Sequence, residues 1–150
     1  YLSMGIVLRK QGDYAEAVTY FRRAVREDPS MAVAHYNLGL TMFNLGRFAE
    51  ARDALGEAAR TAAGNSDVVL SAAQILAEMG DLDKAAAMAA EVLAREPRNG
   101  QAFFTLGVVF EKQGNIPSAI AQFETALQYM PSSQEVRQKL MELRAGQLKR

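Results

Sequence analysis

Apolar side chains along this chain recur at helical spacing, in short blocks separated by glycine. One block holds His35, Leu38, Gly39 and Met42, at i, i+3, i+4 and i+7, which is one face of an α-helix. Ala51, Leu55 and Ala58 repeat that spacing further on, and Gly46 stands between the two stretches. Glycine takes a positive φ after a helix without steric cost, so it is a natural stop. Pro29, Pro97 and Pro131 follow the second stretch of three such blocks. Proline cannot continue a helix, and it biases the residue before it toward extended geometry. The pattern predicts a helix, a short turn and an antiparallel helix.

The unit recurs without insertion. Gly12, Gly46, Gly80 and Gly114 each lie 34 residues from the last. Ala17, Ala51, Ala85 and Ala119 keep the same step, as do Ala24, Ala58 and Ala126 with Val92 in the third copy. Gly5, Gly39 and Gly107 form another column, filled by Ala73 in the third copy; Ala63 takes the proline place in the second. A fixed period of this length predicts a tandem array in which each unit buries its apolar face against its neighbours. The column of Gly5, Gly39 and Gly107 falls inside helices, where glycine costs about 1 kcal/mol against alanine. Its recurrence predicts a close approach by the partner helix of the same unit.

Composition narrows the functional classes. The 150 residues are 49% hydrophobic, enough for a core, and 17 basic residues balance 17 acidic ones. Nucleic-acid binding needs a basic stripe, so no nucleic-acid partner is expected. No apolar run approaches the length of a membrane span, and no signal peptide is visible. Tyr1 falls inside a repeat, so the chain is expected to be a piece of a longer protein. The absence of cysteine excludes disulfides and thiolate metal sites and does not choose a compartment.

The pattern resembles the tetratricopeptide repeat family. Its first-helix signature is a large residue, a Leu-Gly pair and another large residue at fixed spacing. Here it reads Phe103, Leu106, Gly107, Phe110 in the fourth copy, His35, Leu38, Gly39, Met42 in the second and Tyr1, Met4, Gly5, Leu8 in the first. An alanine followed four positions later by an aromatic reads Ala17 and Phe21, and again Ala119 and Phe123. The third copy departs most, with Val69, Ala72, Ala73 and Leu76 in the signature and Ala89 in the aromatic place. Thinner packing and lower local stability are expected there. The resemblance implies an all-α, right-handed α-solenoid of four repeats over 1–31, 32–65, 66–99 and 100–133. Residues 134–150 would add a capping helix, opened by a capping box of Ser132 and Glu135. Val136, Leu140 and Leu143 give that helix one apolar stripe. Its five basic residues (Arg137, Lys139, Arg144, Lys149, Arg150) read as a solvated cap rather than a docking site.

First-helix positions one after the signature stripe point away from the partner helix. They are Leu2, Ile6 and Arg9 in the first copy, Tyr36, Leu40 and Phe43 in the second, Leu70, Gln74 and Ala77 in the third, and Phe104, Val108 and Glu111 in the fourth. In the family these positions line a concave face that binds partner peptides. The resemblance therefore implies an apolar band of Leu2, Ile6, Tyr36, Leu40, Phe43, Leu70, Phe104 and Val108. Asn37, Asn44, Ser71, Gln74 and Thr105 would supply hydrogen-bonding groups along it. An alternative for each residue is packing against the neighbouring first helix. The clamp by which one subgroup grips acidic chaperone C-termini is not expected. Leu2 holds one of its lysine places, Asp67 and Ser71 hold basic places, and Asn37 alone agrees.

Catalysis finds no support. His35, the single histidine, lies on the packing stripe with no second histidine or cysteine to complete a site. No Gly-rich phosphate loop occurs. No catalytic residue, cofactor or metal is therefore expected. The leading reading is a scaffold that binds an apolar or amphipathic segment of a partner protein. The others are self-association through the uncapped first repeat, and a substrate-recruiting module of a larger enzyme.

Overall fold

A computed structural model describes residues 1–62 and 64–149. Ala63 and Arg150, named above, lie outside the described residues. Nine α-helices and no strand occur among the described residues. The chain divides into two compact units, Tyr1–Met79 and Gly80–Arg150. The boundary falls inside the third 34-residue copy.

The first unit holds α1 (Leu2–Gln11), α2 (Tyr14–Glu27), α3 (Ala32–Asn44), α4 (Phe48–Thr61) and α5 (Ser66–Glu78). Each packs on the next in chain order, and α3 also touches α1 and α5. The first helices therefore neighbour one another within this unit. Val18, Met42 and Ala51 form a buried cluster, with Leu38, Phe43 and Met79 packed against it. The second unit holds α6 (Leu82–Arg95), α7 (Gly100–Lys112), α8 (Ile116–Tyr129) and α9 (Gln134–Leu148), again packed in chain order.

Both glycine columns have a visible cause. Gly12, Gly46, Gly80 and Gly114 take φ between 73° and 90°, each at the turn after a first helix. The turn closes with Asp13 N–H donating to Leu8 O, Arg47 N–H to Met42 O and Asn115 N–H to Phe110 O, all at 2.9 Å. These bonds satisfy carbonyls the helix end leaves open. In the other column a Cβ on Gly5 would lie 2.6 Å from the Phe21 ring, and one on Gly107 2.6 Å from the Phe123 ring. On Gly39 it would lie 2.7 Å from Leu55 Cγ and 3.2 Å from the Leu55 backbone nitrogen. The glycine is thus a seat for the large side chain 16 positions later on the second helix. The contact is chiefly side chain on backbone.

The alanine columns are buried throughout: Ala17, Ala51, Ala85, Ala119, Ala58 and Ala126 are wholly buried and Ala24 nearly so. In the third copy Ala72, Ala73 and Leu76 are buried in the first unit and Ala89 in the second. Pro29, Pro97 and Pro131 follow α2, α6 and α8, and Pro117 lies in the first turn of α8.

The start of α9 differs from the expected capping box. Its N-cap is Ser133, whose side chain accepts from Val136 N–H at 3.4 Å, and Ser132 lies one residue too early and is exposed. An N-cap oxygen reaches the backbone N–H three positions on. That third position holds valine, so no reciprocal carboxylate bond forms. Val136 and Leu140 are buried and Leu143 is half-buried, so α9 docks through the expected stripe. Lys139 pairs with Glu111 at 2.9 Å, Arg144 with Glu124, and Arg137 donates to Pro131 O. Three of its cations are thus engaged within their own unit.

Candidate partner-binding site

The first helices of the first unit carry most of the positions singled out by register. Leu2 and Ile6 on α1 are half-buried. On α3, Tyr36, Leu40 and Phe43 are half-buried and Asn44 is exposed. Phe43 is partly committed elsewhere. It packs on the Val18, Met42 and Ala51 cluster, and its ring lies 5.9 Å from that of Phe48. Asn37 is buried, and its amide donates to Val33 O at 2.8 Å. On α5, Leu70 is 1% exposed, while Ser71 and Gln74 are half-buried. Helix α3 touches both α1 and α5, so the three sets lie on neighbouring helices. The surface they offer is apolar at Leu2, Ile6, Tyr36 and Leu40, with polar groups at Ser71, Gln74 and Asn44.

The second unit treats the same register differently. Phe104 is 4% exposed, with its ring 5.5 Å from Phe123. Val108 is buried, and so is Thr105, whose hydroxyl donates to Gln101 O at 2.9 Å. A side chain packed on its own unit leaves little area for a ligand. The burial has a sequence signal: an aromatic at 104 and another at 123 in one hairpin.

Three positions of the same register, Arg9, Ala77 and Glu111, stand outside the expected band. Arg9, near the C-terminus of α1, is half-buried, and its Nε is closed off from solvent with no hydrogen-bond partner.

On the other side of α3 lies a shallow depression of about 280 Å³. Val25, Leu38, Met42 and Ala54 line it together with Arg22, Glu50, Asp53 and Glu57. Glu50 pairs with Arg22 at 2.9 Å and with Arg47 at 2.6 Å. Glu57 pairs with Arg60, whose guanidinium hydrogen bond holds the Glu57 carboxyl below its ordinary pKa. These carboxylates are structural ion pairs. His35 borders the depression, and its Nε2 lies 2.9 Å from Pro29 O, so the ring ties the start of α3 to the loop before it. Among the described residues no group of three or more histidine, aspartate or glutamate side chains is placed to hold a metal. No helix among them is long and apolar enough to cross a membrane.

Helix hairpins at a 34-residue step, with glycine seats for large side chains, agree with an independent match. Residues 2–67 and 70–133 match the tetratricopeptide repeat. The chain belongs to the tetratricopeptide repeat family. Solved structures show the same all-α solenoid fold. PilF of Pseudomonas aeruginosa is similar at TM-score 0.81 and 21% identity, over 99% of this chain and 68% of that one. MamA of Desulfovibrio magneticus RS-1 is similar at 0.73 and 16%, over 97% and 82%. YrrB, described as a TPR protein with an unusual peptide-binding site, is similar at 0.68 and 19%, over 100% and 77%. Among curated proteins, the human protein O-mannosyl-transferase TMTC1 is 28% identical over 99% of this chain. The cellulose synthase 1 operon protein C of Komagataeibacter xylinus is 30% identical over 77% of it. The chain spans 17% of the first relative's length and 10% of the second's. A tetratricopeptide array is a scaffold for protein–protein interaction, and the chain has that architecture.

Proposed function

We propose that this tetratricopeptide array holds a peptide or helix of a partner protein on the first-helix surface of residues 1–79. The observation that carries the reading is the set Leu2, Ile6, Tyr36 and Leu40. These are half-buried apolar side chains on two helices that touch, at a register off the stripe that closes each hairpin. Half-open apolar area ringed by hydrogen-bonding groups suits an extended or helical segment laid across neighbouring helices. The segment is expected to be apolar or amphipathic. The roles of Phe104, Thr105, Val108, Leu70 and Asn37 in such binding are secondary, because their burial leaves them little free area.

The test selects dodecapeptides from a random library displayed by their C-termini on phage, with the whole chain as bait. Binding of the enriched peptides is then measured by fluorescence polarisation against wild type and a Tyr36→Ala, Leu40→Ala double variant. The reading expects apolar-rich peptides whose affinity falls about tenfold or more in a variant that still melts cooperatively. Undiminished affinity in a folded double variant removes it.

A second reading has the O-mannosyl-transferase relative behind it. In that reading the array presents a protein acceptor to a catalytic domain of the same polypeptide. The gene sequence on either side of these 150 residues decides it: a catalytic domain supports the reading, and the lack of one ends it.

A further inference from the structure

Two ion pairs between like helices join residues 28 positions apart. Arg22 on α2 meets Glu50 on α4, and Glu111 on α7 meets Lys139 on α9. The second pair places a carboxylate at the register of Arg9 and a cation at the register of Asn37. In the first unit these two registers, on the touching helices α1 and α3, hold Arg9 and Asn37 themselves. The carboxylate of α7 is therefore replaced by a guanidinium, and the cation of α9 by a neutral amide. That amide already donates to Val33 O within α3. Arg9 is left as a half-buried cation in no ion pair among the described residues, with an Nε closed off from solvent and without a hydrogen-bond partner. The negative end of the α1 dipole favours a cation there but supplies Nε with no acceptor. Buried donors are nearly always paired, so one without a partner asks for an explanation.

We infer that the segment bound on α1 and α3 carries an aspartate or glutamate side chain that pairs with Arg9. The inference rests on the first-helix surface being the binding face. The apolar residues Leu2, Ile6, Tyr36 and Leu40 take the apolar part of the segment, and Arg9 fixes its register. The Arg9 Nε is tied by no hydrogen bond, so the fork is free to turn toward an arriving carboxylate. A planar fork meets a carboxylate with two parallel bonds, which gives direction as well as attraction. The chaperone-tail clamp lacks its cations in this sequence, so the acid expected here is one side chain inside an apolar segment rather than a free C-terminus.

The display library described above also tests this, because displayed peptides have no free C-terminus and any selected acid is a side chain. Wild type is expected to enrich one aspartate or glutamate at a fixed place among apolar residues. Changing that acid to its amide should cost about tenfold in affinity for wild type and less than about twofold for Arg9→Met. Arg9→Glu should instead enrich lysine or arginine at that place. Melting curves of both variants establish that they fold. Apolar peptides without a fixed acid, still lost on Tyr36→Ala with Leu40→Ala, overturn the Arg9 pairing and leave the binding face standing. A fixed acid whose value is the same in wild type and Arg9→Met also overturns it. Peptides indifferent to Tyr36 and Leu40, or no enrichment on wild type, bring down the binding face and the pairing with it.

Discussion

Helices α3 and α7 occupy the same place in their repeats, yet they spend the same register in opposite ways. Tyr36 and Leu40 on α3 stay half-open, while Phe104 and Val108 on α7 are buried. The second helix of each hairpin accounts for much of the difference. Phe123 on α8 is large enough to fill the Gly107 seat and also stand beside the Phe104 ring, 5.5 Å away. Its counterpart on α4 is Leu55, which fills the Gly39 seat with a shorter side chain. Tyrosine at 36 also carries a hydroxyl, which keeps one end of the ring near water. Register decides which way a side chain points. The size of what it meets decides whether any of it remains available.

The sharpest break of this comparison is truncation at the two aromatic positions. Phe104→Ala removes a buried ring and is expected to cost about 3–5 kcal/mol of stability. Tyr36→Ala removes a half-open one and should cost far less, on the order of 1 kcal/mol. Urea melts of the two variants compare them directly. Equal losses would mean that α3 and α7 are used alike and that the half-open surface on α3 is ordinary core.

Filling the glycine seats has the next largest effect. Gly39→Leu and Gly107→Leu each force a side chain into space already taken, at about 1–3 kcal/mol apiece. The two seats then separate in their response to relief. Phe123→Ala empties the Gly107 seat, so Gly107→Ala combined with Phe123→Ala should lose less than the two changes added. That double variant reproduces the residue types of the third copy, Ala73 and Ala89. At Gly39 the backbone nitrogen of Leu55 is part of the obstacle, so Leu55→Ala should relieve Gly39→Ala only in part. Strict additivity at Gly107 would refute the seat as the reason for the column.

Much of this architecture was legible because the repeat advertises itself. Gly46 stops a helix with φ 73°, and the alanine columns vanish into the interior, as their spacing implied. The burial of Phe104 was not legible from its own register. It follows from a pair, Phe104 with Phe123, and periodicity describes positions one at a time. The cap of α9 was misplaced by one residue because Ser132 and Ser133 are adjacent and only backbone geometry selects between them. Arg9 stood at a groove register in the sequence, but its lack of a partner became visible only with the atoms around it.

The smallest effect separates the entrances of α3 and α7. Before α7, the capping oxygen belongs to Asn99, an amide that does not titrate; it accepts from Ala102 N–H at 3.0 Å while the amide nitrogen donates to Glu96 Oε2 at 2.7 Å. Before α3, Asp28 Oδ1 accepts from Ser30 Oγ at 2.6 Å and from Ser30 N–H at 3.0 Å, and N-cap Met31 offers no side-chain bond. Those two bonds hold the Asp28 carboxyl below its ordinary pKa, the Ser30 hydroxyl contributing most. A carboxyl lowered by folding stabilises the fold at pH above its ordinary value. The contribution fades as pH falls through that value toward the folded one. Ser30→Ala should therefore lower the melting temperature slightly at neutral pH, with the gap to wild type closing on acidification. Amide exchange at the start of α3 should quicken over the same range more than at the start of α7. Since Asp28 is only half-buried in its loop, solvent screens the interaction and both effects should be small. A gap that stays constant down to acid pH would show that Ser30 acts on α3 without the carboxylate, and the two entrances would then differ in sequence alone.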